Sequence, residues 1–395
     1  MSDPIFFCII VLFALAVVTS DSFVVTLIYL LAGALIIGRL WTKRAMGAIS
    51  FQRLFPKRLF LGETITLKLD IVNKSSLPIV WLRLQESLPL EIATMPFYQH
   101  VLSLGPRERT SLSYQLVARK RGYYPIGPLQ LTSGDLLGFS KENRLEGAVD
   151  YVTVYPRVVP LPKISLPSHS PIGNLRHKQP IFEDPNRPIG KRDYHTGDSL
   201  RRIDWKASAS VGRLQVKQFE PSIELETAIF LNLNNQEYHY RERFDATELA
   251  IVAAASIASW STTHKQAVGL VTNGSDPLGI NNLTQPMTPQ KGRTHLIRIL
   301  ETLARIKSAD AQPVTGLIHQ HRVNLTWGTT LVVITGQAEK ILFDEFFRAQ
   351  RAGLDIVLIL CGHVIGLQEI RQHARRFNIP VYSLWSEKDL EHWQN

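Results

Sequence analysis

TLVVITGQAEKILFDEFFRAQRAGLDIVLIL, residues 330–360, reads as one strand–helix–strand unit. Thr330 to Thr335 and Asp355 to Leu360 are short, nearly continuous apolar runs, the pattern of parallel strands covered on both faces. Ile341 to Arg351 between them reads as the crossover helix. Working outward, the same alternation repeats. Thr227 to Leu233 is a buried strand and Ala246 to Trp260 a helix with a wide apolar face. Ala267 to Thr272 (strand), Thr294 to Ile306 (helix), Val364 to Phe377 (helix) and Val381 to Leu384 (strand) complete the series. Strand and helix in turn predict a doubly wound α/β domain over residues 224–395. Ligands of such sheets sit beyond the carboxyl ends of the strands, so the loops after Leu233, Thr272, Thr335 and Leu360 are the ones to inspect. They hold amides, a hydroxyl, a thiol and an imidazole, and no glycine-rich phosphate cradle opens any of the helices.

Upstream the period changes to two. Ile65, Leu67, Leu69 and Ile71 alternate with Thr64, Thr66, Lys68 and Asp70, and the turn Asn73-Lys74-Ser75-Ser76 leads to Val80, Leu82 and Leu84 in the same period. Further alternation runs through Leu112 to Leu116, Leu129 to Leu131 and Val152 to Val154, with no helical period in between. An antiparallel β-sandwich of immunoglobulin-like size over residues 62–156 is the expected fold. Arg119 to Pro128, which mixes cations with Tyr123 and Tyr124, reads as a bend between strands.

At the amino end, Ile5 to Val18 and Phe23 to Ile37 are apolar runs free of Asp, Glu, Lys and Arg, separated by Thr19-Ser20-Asp21-Ser22. Each covers about 21 to 23 Å as a helix at ~1.5 Å per residue, so both need their flanks to cross a hydrocarbon core of roughly 30 Å. They predict a membrane helical hairpin over 1–41. A secretory signal peptide is the rival reading, but nothing basic precedes the first run and a second follows at once. Arg39, Lys43, Arg44, Arg53, Lys57 and Arg58 follow without an intervening acid, giving a basic juxtamembrane linker over 42–61. Positive flanks stay cytoplasmic, which places both termini and the soluble domains inside, at the cell inner membrane, with anionic lipid drawn to the cations.

The 395 residues are 45% hydrophobic and 20% charged with a formal net charge of +10, ordinary globular material with length for several domains. The excess is local, so a nucleic-acid surface is not required to explain it. Two cysteines, Cys8 and Cys361, build neither a disulfide framework nor a thiolate metal site. Enzyme templates such as HExxH, GxSxG and CxxC are missing, and His319-Gln320-His321 has a spacing that sends its rings to different helix faces.

The connector, residues 157–223, holds the candidate functional segment: Lys191-Arg192-Asp193-Tyr194-His195-Thr196-Gly197-Asp198-Ser199-Leu200-Arg201-Arg202-Ile203-Asp204-Trp205-Lys206. From Arg187 to Lys217 there are eight Lys/Arg against three Asp. Gly197 supplies a turn, Asp198 suits a helix N-cap, Ile203 and Ala207 lie on one face of the short helix that follows, and Gly212 ends it. Partner binding is assigned to Arg192, Tyr194, Gly197, Asp198, Arg201, Arg202, Asp204 and Trp205. A structural alternative makes the segment an ion-pair network with Trp205 anchoring the helix against the α/β domain. Surface pairs contribute only about 0 to 1 kcal/mol each, a weak reason for so many charges. An enzymatic alternative is a membrane-associated hydrolase using Asp193, His195 and Asp198 for acid–base chemistry.

The string Arg192-x-Tyr194-x-x-Gly197-Asp198-x-x-Arg201-Arg202-Ile203-Asp204-Trp205-Lys206-Ala207-Ser208-Ala209 resembles the core of the bacterial domain of unknown function 58 family. Arg121 to Pro128 and Asp135 to Phe139 resemble its upstream pieces. The resemblance implies a membrane hairpin, a β-rich region and a von Willebrand factor A-like C-terminal domain. It also implies association with a MoxR-type AAA+ ATPase in assembly or maturation of other complexes. A metal-binding A domain would carry Asp-x-Ser-x-Ser after its first strand. Here the run is Asn232-Leu233-Asn234-Asn235-Gln236, with Gly336 where another acid belongs, so neither a metal ion nor another cofactor is expected. A non-enzymatic membrane-anchored adaptor is the reading that results.

Overall fold

The computed structural model describes residue 11 and residues 22–135, 141–147, 149–161, 183–221 and 226–391. The first apolar run, Ile5 to Val18, otherwise lies outside the described residues, and with it the first arm of the expected hairpin. The chain divides into two compact units, Met1–Arg157 and Val158–Asn395. The amide of Val159 donates to Ser256 Oγ (2.9 Å), which ties the start of the second unit into its own domain.

The first unit opens with helix α1 (Ser22–Gly47), long and apolar enough to cross a membrane, with its most apolar stretch unburied. One residue later the chain enters a β-sandwich. Its strands are β1 (Ile49–Leu54), β2 (Arg58–Phe60), β3 (Thr64–Asn73), β4 (Ile79–Ser87), β5 (Phe97–Leu104), β6 (Arg109–Val117), β7 (Gly122–Ile126), β8 (Leu129–Gly134), β9 (Lys141–Glu146) and β10 (Asp150–Tyr155). They form sheets of order β1-β3-β6, β5-β4-β8-β9 and β2-β10-β7. Pairing is antiparallel except between β2 and β10. Leu67, Leu69, Ile71, Leu82 and Leu84 are fully buried in one core, as their alternation predicts. Val80 is an exception. A register shift between Ile79 and Leu82 turns Ile79 inward and leaves Val80 exposed, because one extra residue inverts the facing of the strand behind it.

The expected basic linker, residues 42–61, does not exist as a linker: it is the last six residues of α1 followed by β1 and β2. Arg53 belongs to the core. Its side chain, 1% exposed, donates to Glu86 Oε1 (2.5 Å) and Asp150 Oδ2 (3.0 Å), and Tyr114 donates to the other Glu86 oxygen. Burial, then the Glu86 carboxylate, pushes the Tyr114 phenol far above its ordinary range. Tyr123 and Tyr124 lie in β7 rather than in a bend, and Tyr123 stacks on Tyr151 with ring centroids 4.6 Å apart.

In the second unit, β11 (Glu183–Asp193) pairs with β12 (Gln215–Pro221) as a two-stranded ribbon enclosing helix α2 (Trp205–Val211). The expected connector, residues 157–223, is therefore partly regular. Beyond it, β13 (Glu226–Leu231), β14 (Ala267–Thr272), β15 (Met287–Gln290), β16 (Thr330–Thr335), β17 (Asp355–Cys361) and β18 (Val381–Leu384) make one sheet of order β15-β14-β13-β16-β17-β18. All pairs are parallel except β14 with the edge strand β15. Helices α3 (Arg243–Thr263), α4 (Arg293–Arg305), α5 (Val314–His321), α6 (Lys340–Arg351) and α7 (Leu367–Arg376) run between the strands, α4 and α5 both between β15 and β16. The strand run falls fully inside, with Ala228, Phe230, Leu331, Val333 and Leu358 almost without solvent contact. Strand order reverses between β13 and β16, which locates the crevice of this sheet at their carboxyl ends.

Candidate functional site

Two places answer to the sequence: the signature between β11 and β12, and the crevice at the strand-order reversal. In the first, the ribbon aligns Lys191 with Lys217, Arg192 with Val216 and Asp193 with Gln215. The loop then turns at Gly197, whose φ of 110° favours glycine. Asp198 does not cap a helix. Its carboxylate accepts two parallel bonds from Arg192 (2.8 and 2.7 Å) and one from the backbone N–H of His195 (2.9 Å). The Arg192 guanidinium, then the His195 amide, holds Asp198 below the usual carboxylate range.

The helix cap is Asp204, three residues before the amide of Ala207 that donates to its Oδ1 (3.1 Å). Lys191 Nζ lies 2.9 Å from the other Asp204 oxygen, and these two contacts, the lysine first, lower its pKa. Gly212 ends α2 in the left-handed region (φ 73°), as its position predicts. Ser208 Oγ donates to the Asp204 carbonyl and accepts from the Gln215 amide, pinning the helix to β12. Ile203, in a bridge to Val216, and Ala207 are buried beneath. Asp193 accepts from Gln215 Nε2 and has Arg213 at 3.7 Å.

Each of the three acids thus has its own cation. What the segment turns outward is different: Leu200 is 66% and Trp205 68% exposed, beside exposed Arg201, Arg202 and Lys206. Trp205 therefore does not anchor the helix, contrary to the structural alternative. Of the eight assigned positions, Arg192, Gly197, Asp198 and Asp204 shape the loop and Tyr194 ties it to Leu214 through its backbone. Arg201, Arg202 and Trp205 are on the surface. His195 meets Asp198 through its backbone, not its ring.

At the crevice, Asn232, which is fully buried, is the hub. Its Nδ2 donates to Glu237 Oε2 (2.7 Å) and Thr335 Oγ1 (2.9 Å), and its Oδ1 accepts from the Asn234 amide (3.0 Å) and Asn273 Nδ2 (2.8 Å). Asn273 Oδ1 accepts from the Leu233 amide, while Tyr238 OH donates to the Asn232 carbonyl (2.7 Å). Glu237 Oε2 also accepts from the Val314 amide. Burial raises the pKa of Glu237 and, much further, that of Tyr238. A Cβ at Gly336 would stand 2.3 Å from the Tyr238 ring and 2.6 Å from the Glu237 carbonyl oxygen. The loop after β13 therefore fills the crevice with the chain's own side chains, and Gly336 is the clearance it requires. Among the described residues no three His, Cys, Asp or Glu side chains gather as a metal-binding group.

Sequence reasoning found Asn232, Asn234 and Gly336 by position but missed Glu237, Tyr238, Asn273 and Thr335 as one network. Only Glu237 and Tyr238 are near Asn232 in sequence; the other two arrive on separate strands.

The chain is 24% identical over 306 residues to the uncharacterized protein YeaD of Bacillus subtilis (strain 168), covering 76% of this chain and 71% of that one. Among solved structures, the CARDB domain of a Pyrococcus furiosus protein matches 27% of this chain and 86% of its own length, at 15% identity and a TM-score of 0.21. Alpha-2-macroglobulin of Escherichia coli, from domain MG7 to the C-terminus, matches 29% of this chain and 17% of its own length at 19% identity and a TM-score of 0.24. Both structural likenesses are too slight to bear on function. Residues 190–358, from the end of β11 into β17, match a family described as protein of unknown function DUF58.

Proposed function

We propose that the chain is a non-enzymatic, membrane-anchored adaptor that docks a protein partner through the outward face of the signature. The observation that carries this reading is the division of labour within the segment. Asp198 and Asp204 are engaged by Arg192 and Lys191, while Leu200, Arg201, Arg202, Trp205 and Lys206 face solvent. Exposed tryptophan beside arginine is the composition of an interaction hot spot. A carboxylate held in a bidentate guanidinium pair is poorly placed to shuttle protons, which speaks against the hydrolase reading of Asp193, His195 and Asp198.

The sheet order, with an antiparallel strand at one edge, supports a von Willebrand factor A-like reading of the α/β domain. The saturated crevice supports a domain of that kind that works without a bound cation. Helix α1, paired with the preceding apolar run as a hairpin, holds the protein in the inner membrane with its soluble units cytoplasmic. The signature's resemblance supplies the partner class, a MoxR-type AAA+ ATPase acting in assembly or maturation of other complexes.

The test is co-purification, from native membranes, of the full-length protein with the MoxR-type ATPase of the same organism. Arg201→Glu with Arg202→Glu abolishes recovery on this reading, while Asp193→Asn leaves it intact. Equal recovery by the charge-reversed variant removes the docking role. Hydrolytic turnover that disappears in Asp198→Asn would install the enzymatic reading instead.

A further inference from the structure

We propose that the β-sandwich is seated directly on an anionic lipid surface, held there by an uncleaved α1 that runs without a hinge from the membrane into the protein core. The carboxyl end of α1 is built into the sandwich. Thr42, Ala45 and Met46 are buried, Ala45 and Met46 within the same apolar cluster as Leu67, Leu82 and Leu84. Arg144 of β9 donates to the carbonyl of Met46 (2.9 Å), an acceptor that the helix end leaves open, and to that of Ile49 at the start of β1 (3.2 Å). Trp41 Nε1 donates to the Pro78 carbonyl (3.0 Å), and the Lys74 amide donates to the Ala48 carbonyl (3.0 Å). At Gly38 a Cβ would meet the Asp135 carboxylate at 2.7 Å, so the helix and the end of β8 are already in close approach there.

These contacts decide between an anchor and a removable leader. Cleavage beyond Gly47 would strip Ala45 and Met46 from a closed core and take the Met46 carbonyl from the Arg144 guanidinium. A signal sequence has no reason to supply core residues to the mature domain. The contacts also fix the depth of the protein. From Ser22, which follows the charged Asp21, to Trp41 is 20 residues, about 30 Å of helix at 1.5 Å per residue, which matches the hydrocarbon thickness. The boundary then falls on Trp41, a residue type favoured at the lipid–water interface.

Arg39 lies half a turn inside, where a long side chain reaches back to the headgroups, and Lys43 and Arg44 lie just beyond. All three are exposed. Because Pro78 is bonded to Trp41, the β3–β4 turn, including exposed Ser76, stands at headgroup depth too. Cations and an interfacial tryptophan at one level fit anionic phospholipid.

The experiment uses the full-length protein with Cys8→Ser, since Cys361 is buried, and spin labels at cysteines introduced for Ile37, Leu40 or Ser76. The protein is reconstituted in phosphatidylglycerol or in phosphatidylcholine vesicles, and collision with oxygen and with a neutral nickel chelate gives depth. The expected result is oxygen-dominated collision at Ile37 and interfacial values at Leu40 and Ser76. Ser76 should move toward water when phosphatidylcholine replaces phosphatidylglycerol, or when Lys43 and Arg44 become Gln. A Ser76 label as accessible to nickel as one in bulk water, in both lipids, overturns the seating while leaving the anchor in place. A mature N-terminus beyond Gly47 overturns the anchor itself.

Discussion

The crevice at the head of β13 and the signature between β11 and β12 are both dense in polar side chains, and they use them in opposite ways. Around Asn232, the side-chain amides of Asn232 and Asn273 and the Tyr238 hydroxyl donate to neighbouring side chains and carbonyls, and Tyr238 closes the space a ligand would enter. In the signature the acids pair with Lys191, Arg192 and Arg213 to shape a loop, and Arg201, Lys206 and Trp205 are presented to solvent. A polar cluster becomes a ligand site only when its bonding capacity is left over after folding. By that standard the place where doubly wound sheets usually bind is a structural joint here, and the loop outside the sheet is the surface to test.

The strongest way to break this contrast is Asn232→Ala. It removes a hub that serves Glu237, Asn273, Thr335 and the Asn234 amide. Leaving buried polar groups unpartnered costs about 1–3 kcal/mol each, so a loss of about 3 kcal/mol in urea denaturation is expected. A loss below about 1 kcal/mol would mean that water replaces the amide readily, and that the crevice is open after all. Gly336→Ala is next. The nearest obstacles are the ring of Tyr238 and the backbone of Glu237, not a flexible side-chain tip. Overpacking of this kind costs about 1–3 kcal/mol, read as a lowered Tm.

The contrast also explains what could be seen from the sequence. The α/β domain was legible because parallel strands such as Leu331 to Ile334 announce themselves as apolar runs, and the β-sandwich because Leu67, Leu69 and Ile71 alternate with polar neighbours. Registers were not legible: nothing in Ile79-Val80-Trp81-Leu82 distinguishes a bulged strand from a regular one. Charge was misleading wherever partners are remote. Arg53 reads as a surface cation until Glu86 and Asp150, far away in sequence, converge on it. Asp198 and Asp204 are both plausible caps by composition, and only the closing of Arg192 onto Asp198 leaves the cap to Asp204. The apolar run that ends at Ile37 gave no sign that Ala45 and Met46 would be core, because one helical turn is too short to show a period.

Acidity separates the two regions without any change of fold. Glu237 has a raised pKa through burial, so its folded form binds a proton more tightly than the unfolded chain does. Stability is then lost as pH rises from the ordinary carboxylate value through the raised one. Glu237→Gln keeps an oxygen for Asn232 and Val314 and removes the charge. It should be more stable than the parent at neutral pH, with the gap closing on acidification. Asp198 runs the other way. Its depressed pKa gives stability above the unfolded value, about 3.8, that is lost as pH falls through the lower folded one. Asp198→Asn should flatten that acid limb, visible as a smaller change with pH in the protection factor of the His195 amide. Parallel pH profiles for the two variants would erase the distinction drawn between crevice and signature.

The smallest effect on stability is expected where the effect on association is largest. Trp205 leads α2 but is 68% exposed, and the helix is held by the Asp204 cap, Ser208 and Gly212 rather than by the indole. Trp205→Ala should therefore shift unfolding by no more than about 0.5 kcal/mol, the range of an ordinary surface change. A side chain of that size left in water, between Arg201 and Lys206, is costly to solubility and gives nothing back to the fold. The docking proposed for this segment would cover it. If denaturation of Trp205→Ala instead falls by about 2 kcal/mol or more, the indole is buried in solution, as a core aromatic would be. The signature would then join the crevice as a closed network, and the contrast would disappear.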